Sequence, residues 1–335
     1  MNLRAYECLT VSDMTSRETV MKKIIPLGIA AALFFSITFA INRWLNFVEG
    51  GHWYWTASLR YIYTAVLISI LIIVKYGFRT FSDTLRCFAR YWYFWLLAGG
   101  VGFGCFYLFL CYAASYSPGW VLATTWQLTI LMTPVVLWLF RDKVGTRGIL
   151  YLALMFVGIL LVNYHQFSNV TSEIWYSVLP IAAAAFCYPF GNTLCKFACE
   201  GKLKRFPINT ESVATNVFSQ VLLMVLGALP VLLVVGIIVR PSAPTNSQLY
   251  SIVIIAIFTG VIATSLLYKA RQLASNAFEL AAADGTQAGE PPLALFWEIV
   301  LFGATIPSAV GFTGLALVII GIVLFYRSNI RGVSN

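Results

Sequence analysis

The chain has 335 residues, of which 60% are hydrophobic, 16% aromatic and only 10% charged, whereas charged residues make up roughly 25% of a typical soluble domain. These values exclude a soluble globular protein, a disordered chain and a fibrous repeat protein. The formal net charge of +9 would suggest a nucleic-acid partner for a soluble protein, but in a membrane protein it reflects topology first. We therefore expect an all-α polytopic membrane protein that has the lipid bilayer, and no nucleic acid, as its partner.

Apolar segments long enough to cross a bilayer recur along the whole chain. A helix that spans about 30 Å of hydrocarbon needs roughly 20 residues, and such segments alternate with charged breaks. They predict ten transmembrane helices, at 24–47, 52–74, 91–115, 119–140, 147–164, 174–196, 212–239, 248–268, 275–302 and 306–326. Residues 1–23 and 327–335 are then terminal tails, and an even number of spans places both tails on one side of the membrane.

Basic residues predict the orientation, because Lys and Arg that flank short connections remain in the cytoplasm. They are concentrated in the two tails and the even-numbered connections, at Arg4, Arg17, Lys22, Lys23, Lys75, Arg79, Arg86, Arg90, Arg141, Lys143, Arg147, Lys196, Lys202, Lys204, Arg205, Lys269, Arg271, Arg327 and Arg331. The odd-numbered connections contain only Arg240. Both termini are therefore predicted to be cytoplasmic.

Two parts of the chain resemble each other at long range. The stretch ATTWQLTI of span four recurs as ADGTQAGE in span nine, about 160 residues later, and VGILL of span five is similar to IGIVL of span ten. A duplicated unit of five spans contains an odd number of crossings, so its two copies enter the membrane in opposite directions. The chain is therefore predicted to consist of two inverted five-helix repeats, 24–164 and 174–326, with a binding site near the midplane between them.

Ionisable side chains are rare within the spans, and those present are functional candidates by default. Span nine carries Asp284, Glu290 and Glu298, and span two carries Arg60. At about 1.5 Å per residue, Glu290 lies near mid-membrane, whereas Glu298 and Arg60 lie in the outer half. Arg60 could pair with one acid and hold the two spans together, but the deep acids outnumber the deep arginines. An unpaired carboxylate in a low-dielectric cavity can bind either a proton or a cation.

Further polar positions extend this candidate site. Asp284, Gln287 and Glu298 share one helical face, and the adjacent Pro291-Pro292 pair is predicted to break the helix there. Trp126 and Gln127 of span four are the repeat equivalents of Thr286 and Gln287, and Asn192 of span six is a further polar residue. Each of these is also typical of an interhelical hydrogen bond. Together with nearby aromatic rings they could line a pocket for a flat or cationic ligand.

The sequence gives little support to an enzyme. His52 and His165 are the only histidines, and no zinc motif, nucleophile elbow or phosphate-binding loop is present. No catalytic residue, metal site or cofactor is therefore expected. Without a nucleotide-binding domain, transport would be driven by an ion gradient or run downhill.

Three stretches carry a resemblance to a known family: NR at 42–43 with WYWTASLRY at 53–61, GW at 119–120 with WQLTI at 126–130, and DGTQAGE at 284–290 with Glu298. They resemble the drug/metabolite transporter superfamily, and within it the ten-span family of putative multidrug resistance efflux transporters. The resemblance covers nearly the whole chain and implies a plasma-membrane exporter. Asp284 stands where the family is expected to have glutamate, and Pro291-Pro292 replaces an apolar pair.

Three hypotheses follow from these observations. The leading one is a secondary active exporter that exchanges protons for small cationic or amphipathic compounds, with Glu290 as the coupling carboxylate and Asp284 and Glu298 as alternates. The second is an exporter or permease for amino acids, nucleobases or similar zwitterions or anions, bound through Arg60 and Arg43. The third is a channel or a membrane scaffold. Ten spans suffice for a monomeric carrier, with a dimer as the alternative.

Overall fold

The computed structural model describes residues 3–140, 147–162, 164, 173–211, 213–275, 277–303 and 306–331. Within these ranges the chain is almost entirely helical and contains no strand. Seven of its helices are long and apolar enough to cross a membrane. The predicted class, an all-α polytopic membrane protein, is confirmed.

The described residues form ten helical segments in chain order. They are α1 (Leu3–Arg43, continued by a π-helical turn Trp44–Val48), α2 (Trp53–Arg90), α3 (Trp92–Ala113), α4 (Gly119–Leu139), α5 (Arg147–Val162), α6 (Glu173–Cys199), α7 (Val217–Val239), α8 (Asn246–Leu273), α9 (Ala277–Gly285, a 3-10 turn Thr286–Gly289 and Glu290–Phe302) and α10 (Ala309–Arg331). A short 3-10 turn, Ile208–Thr210, lies between α6 and α7. The ten segments overlap the ten predicted spans in order, while the number that cross the bilayer stays a prediction.

Two helices extend beyond their predicted ends. Helix α1 begins at Leu3, so most of the tail predicted at 1–23 is helical. Helix α2 continues past residue 74 to Arg90, with a break at Gly77, whose φ is 87°. A positive φ is accessible to glycine at little cost because it has no Cβ. Beyond the break, the hydroxyls of Thr84 and Ser219 of α7 are hydrogen-bonded at 3.0 Å, which holds this helical extension against the bundle.

The packing of the helices relates the first five segments to the last five. Helix α1 packs against α8 and α9, and α6 packs in the corresponding way against α3 and α4. Helix α2 packs against α7, and α5 against α10. Exchanging each helix of the first set with its counterpart in the second leaves this contact pattern unchanged. The pattern agrees with the two inverted repeats, which stay a prediction.

Small residues bring the halves into close contact at α3 and α6. A Cβ added to Gly191 would lie 2.3 Å from the main-chain oxygen of Ala98 and 2.4 Å from the Cα of Gly102. No side chain fits in this space, so the two backbones touch directly. Such contacts are the usual basis of helix association in membranes, where lipid removes most of the hydrophobic driving force.

Candidate functional site

Eight helices, α1 to α4 and α6 to α9, line a narrow central cavity with a volume of ≈ 40 Å³. Aromatic rings dominate its lining: Phe35, Phe39, Tyr61, Phe103, Phe106, Tyr107, Trp126 and Tyr188. Arg60 and Glu290 bring charge to it, and Gln287 brings an amide. This volume accommodates a few water molecules, whereas ligand pockets measure about 300–1,000 Å³. Binding of a small molecule therefore requires the lining helices to move apart.

Glu290 begins the second helical part of α9. The helix is interrupted at the 3-10 turn Thr286–Gly289, and Pro291 and Pro292 occupy the first turn of the helix that follows. The predicted break at the prolines is therefore displaced by a few residues, because proline is well tolerated where the first helical N–H groups lack partners anyway. Glu290 is only 1% exposed. Its Oε2 has no hydrogen-bond partner, and no ion pair reaches its carboxylate, within the described part of the chain.

Arg60 lies on α2 with its guanidinium over the ring of Tyr107, 4.1 Å from the ring centroid. It is 4% exposed, and its Nε has no hydrogen-bond partner in the described ranges. Tyr107 is in turn hydrogen-bonded to Asn42 of α1 at 3.0 Å. The sequence left open an ion pair between Arg60 and an acid of α9. Among the described residues Arg60 forms no such pair, and its guanidinium contacts the ring of Tyr107 instead.

Asp284 is paired with Arg271, a residue that was predicted to lie in a cytoplasmic connection. Arg271 forms an ion pair with Asp284 Oδ1, and Thr133 of α4 donates to Oδ2 at 3.5 Å. Arg271 was assigned to a cytoplasmic connection, but it is 3% exposed in the last turn of α8. The available signal was helical spacing, since Leu267 and Arg271 are four residues apart and share a buried face. Asp284 is outside the lining of the central cavity.

Glu298 also lies outside that lining. Its Oε1 accepts a hydrogen bond from the backbone N–H of Gly119 at 2.7 Å, and its Oε2 accepts one from Trp120 at 3.1 Å. These are the first two residues of α4, where the unpaired N–H groups and the helix dipole favour a negative charge. Nearby, Arg43 donates to the main-chain oxygen of Ser115 at 3.4 Å. Glu298 therefore joins α9 to the start of α4.

Gln127 and Gln287, which occupy equivalent positions in the two predicted repeats, are in contact. Nε2 of Gln127 donates to the main-chain oxygen of Gln287 at 3.2 Å, and to that of Ala123 at 3.1 Å. Gln287 lines the central cavity, whereas Gln127 lies behind it. Trp126 does line the cavity, and its ring packs 4.9 Å from that of Phe106, between centroids. The structure thus brings Glu290, Gln287, Arg60 and Trp126 to one space.

Asn192 lies beside a second cavity of ≈ 310 Å³ at the predicted cytoplasmic end of α6, α7 and α8. Tyr268, in the wall of this cavity, donates to Asn192 Oδ1 at 2.5 Å. On its other side, the ring of Tyr268 packs edge-on against that of Phe103, with centroids 6.1 Å apart. Phe103 lines the central cavity. The contact between Tyr268 and Phe103 therefore lies between the two cavities.

A hydrogen-bonded chain that the sequence did not predict crosses the predicted outer end of the bundle. Gln248 of α8 donates to Thr56 of α2 at 2.9 Å, and Thr56 donates to Asn46 at 2.6 Å. Asn46 donates to the main-chain oxygen of Cys111 in α3 at 2.9 Å. The signal available in the sequence was Gln248 three residues after Thr245, the spacing of a capping box, which forms at the start of α8.

The start of α2 is capped from the connection that precedes it. Nδ1 of His52 accepts a hydrogen bond from the backbone N–H of Tyr54 at 3.2 Å. Partial burial lowers the pKa of His52, because removal from water disfavours the charged imidazolium. The neutral ring is the form that can accept this hydrogen bond at Nδ1.

Comparison with known proteins agrees with this architecture. A profile of the EmrE family, described as putative multidrug resistance efflux transporter, matches residues 21–331. The chain belongs to this transporter family. It is similar to the uncharacterized protein YjlA of Bacillus subtilis strain 168, with 33% identity over 319 residues that cover 90% of this chain and 94% of the relative.

Two further likenesses extend the comparison. An uncharacterized 42.1 kDa protein in the intracellular alkaline protease 3′ region of Shouchella clausii is 33% identical over 266 residues, 76% of this chain and 66% of the relative. The chain also superposes on a solved structure whose title is "Crystal structure of protein", with a TM-score of 0.62 and 16% sequence identity. The match covers 92% of this chain and 98% of that one. That likeness shows the fold alone. For this member of the EmrE family, a small-molecule substrate and residence in the lipid bilayer follow from membership.

Proposed function

We propose that the protein is a secondary active exporter that exchanges protons for small cationic or amphipathic compounds in the central cavity. The observation that supports this is Glu290, a buried carboxylate that lines an aromatic cavity and has no ion-pair partner among the described residues. A buried unpaired charge is costly. Glu290 therefore gains stability by binding either a proton or a cation, and competition of the two for one carboxylate couples their movements.

The other two acids of α9 are better explained as structural. Asp284 is paired with Arg271, and Glu298 accepts two backbone N–H groups at the start of α4. Gln287 and Trp126 are the proposed substrate contacts, since both line the cavity. Gln127 and Asn192 are proposed to act from outside it, by holding Gln287 and Tyr268.

Alternating access is proposed to arise from rocking of the halves 24–164 and 174–326. The hydrogen-bonded chain from Gln248 to Cys111 closes the predicted outer end, while the larger cavity beside Asn192 lies at the predicted cytoplasmic end. Residues of one chain line the central cavity, which supports a monomer. The plasma membrane is proposed as its location from the family match. An exporter in this conformation would load from the cytoplasm.

The second candidate is an exporter or permease for amino acids, nucleobases or similar zwitterions or anions. Arg60 favours it, because a guanidinium remains charged at any physiological pH and this one has no carboxylate partner among the described residues. In that case the acids are structural, and Arg60 holds the substrate.

The test uses purified protein in liposomes that contain a pH-sensitive dye, an imposed proton gradient and a panel of organic cations, amino acids and nucleobases. We expect saturable, substrate-dependent proton flux that Glu290→Gln abolishes. Glu49→Gln makes the same acid-to-amide change at an exposed outer position and is expected to transport normally. Full proton-coupled flux in folded Glu290→Gln would contradict the proposal, and non-saturable flux would favour a channel.

A further inference from the structure

The central cavity contains one basic and one acidic side chain, and neither has an ion-pair partner within the described ranges. Arg60 and Glu290 both line it, but no ion pair joins them. Arg60 Nε and Glu290 Oε2 are buried polar atoms without a hydrogen-bond partner there. Most buried polar side-chain atoms in proteins have a partner, and these two belong to the charged residues that line the cavity. These two are therefore available to a ligand.

The charges are not equivalent in their chemistry. The guanidinium of Arg60 cannot lose its proton in a protein, so it presents a permanent positive charge with donors in a planar fork that suits a carboxylate. Glu290 can be protonated. A substrate that is only a cation would have to enter beside the uncompensated charge of Arg60, which costs energy in a cavity of low dielectric.

From this arrangement we infer that the transported compound is an amphipathic zwitterion, such as an α-amino acid with an aromatic or large apolar side chain. Its carboxylate binds Arg60, its ammonium binds Glu290, and its apolar body packs on the aromatic rings of the cavity. The inference rests on the proposed function of Glu290 as the coupling carboxylate, and it specifies the substrate of that site.

The proton and charge balance of this exchange differs from that of cation export. Facing the cytoplasm, Glu290 releases its proton to water and the ammonium of the zwitterion takes its place. Facing outward, the zwitterion leaves and Glu290 takes a proton from outside. Each cycle moves one proton in and one neutral zwitterion out, so one positive charge enters the cell. Exchange of one proton for one monovalent cation would move no net charge.

A matched set of three probes with the same phenyl body tests the inference: L-phenylalanine, which is a zwitterion, phenethylamine, which is a cation, and 3-phenylpropionate, which is an anion. Equilibrium binding is measured on the purified protein in detergent micelles. We expect L-phenylalanine to bind at least roughly tenfold more tightly than phenethylamine, which leaves the buried charge of Arg60 unpaired. 3-Phenylpropionate leaves Glu290 to take up a proton, so its binding should weaken relative to that of L-phenylalanine as the pH rises. Equal binding of phenethylamine and L-phenylalanine, or no binding of any probe, would overturn the inference.

Variants at Arg60 separate its role from general stability. Arg60→Gln is expected to weaken binding of L-phenylalanine and 3-phenylpropionate by about tenfold or more while leaving phenethylamine unaffected or improved. Arg60→Lys keeps the positive charge and is expected to restore part of the loss. If Arg60→Gln does not fold, the comparison of the three probes on the wild-type protein still decides the question.

A transport measurement distinguishes the failure of this inference from that of the proposed function. In proteoliposomes without a pH gradient, L-phenylalanine exchange is expected to respond to a membrane potential imposed with potassium and valinomycin. Suppose instead that phenethylamine drives proton counterflow at a rate that does not depend on the membrane potential. Glu290 would then remain the coupling group, and the inference that the substrate is a zwitterion would be wrong. Arg60-dependent binding of L-phenylalanine without proton counterflow would support the zwitterion and contradict proton coupling.

Discussion

Nε2 of Gln127 donates to the main-chain oxygen of Gln287 at 3.2 Å. Both residues lie where their helices are interrupted: Gln127 separates the two parts of α4, and Gln287 lies in the 3-10 turn of α9. An interrupted helix leaves carbonyl groups without their usual partners. The side chain at one interruption therefore satisfies the backbone at the other, close to Glu290.

Replacing Gln127 by Leu removes this donor and leaves the carbonyl of Gln287 buried without it. We expect a loss of about 1–3 kcal/mol in the free energy of unfolding, seen as a lower melting temperature in detergent micelles. Gln287→Leu, the same substitution at the other glutamine, is the matched control. Because the acceptor is the main chain, this variant keeps the hydrogen bond and should remain closer to wild type. Equal destabilisation by both changes would contradict this account.

The buried ion pair between Asp284 and Arg271 yields a second prediction. Asp284→Leu leaves a buried guanidinium unpaired, so we expect destabilisation by about 3–5 kcal/mol. The double variant Asp284→Leu with Arg271→Leu removes both charges and should recover much of that loss. Thermal unfolding of the three proteins measures the difference.

The exposed pair Arg86–Asp83, with atoms 2.9 Å apart, is the control for general effects of charge removal. Solvent-exposed ion pairs contribute about 0–1 kcal/mol, so Asp83→Leu should hardly change stability. If the double Leu variant is no more stable than Asp284→Leu alone, the loss in Asp284→Leu does not come from an unpaired Arg271 charge, and this account is wrong.

Glu298 is predicted to stabilise the start of α4 rather than to bind protons for transport. Glu298→Ala removes the acceptor of two backbone N–H groups, and we expect a loss of about 1–2 kcal/mol. Glu298→Gln keeps one oxygen acceptor and should lose less. Proton flux per folded molecule, measured in liposomes, should persist in both variants, and its complete loss in Glu298→Gln would assign Glu298 a coupling role instead.

Tyr268 is expected to control passage between the two cavities. In a background without the native cysteines, Thr264→Cys places a thiol in the lining of the central cavity. Adding Tyr268→Ala removes the barrier, so a charged methanethiosulfonate reagent applied to the cytoplasmic side should label this thiol faster. Tyr268→Phe keeps the packing against Phe103 but loses the bond to Asn192 and should give an intermediate rate. Unchanged labelling in Tyr268→Ala would place the barrier elsewhere.

His52 should make stability depend on pH. Its pKa in the folded protein is lowered from the usual 6.5, so the cap it provides to α2 is present above the unfolded pKa and is lost as pH falls through the folded one. We expect a small melting-temperature decrease between about pH 7.5 and about pH 5, because solvent screens a ring that is only partly buried. His52→Asn keeps a capping oxygen without a titrating group and should reduce this decrease. An equal decrease in both proteins would assign the pH dependence to other groups.

Hydropathy by itself determined the all-α membrane class and the approximate positions of the ten segments. These features follow from the order of residues along the chain, because a membrane helix satisfies its own backbone and needs only a long enough apolar stretch. The importance of span nine was also evident, since acids at membrane depth are rare.

Only the tertiary structure decided how Asp284, Glu290 and Glu298 differ. Which charge each acid meets depends on the helices that adjoin α9: α8 brings Arg271 to Asp284, and α4 brings its N-terminus to Glu298. Glu290 faces the aromatic cavity instead. The 3-10 turn at Thr286–Gly289 also changes the helical phase, so residues assigned to one face by regular 100° spacing point to different neighbours. Such contacts between distant segments leave no periodic trace in the sequence.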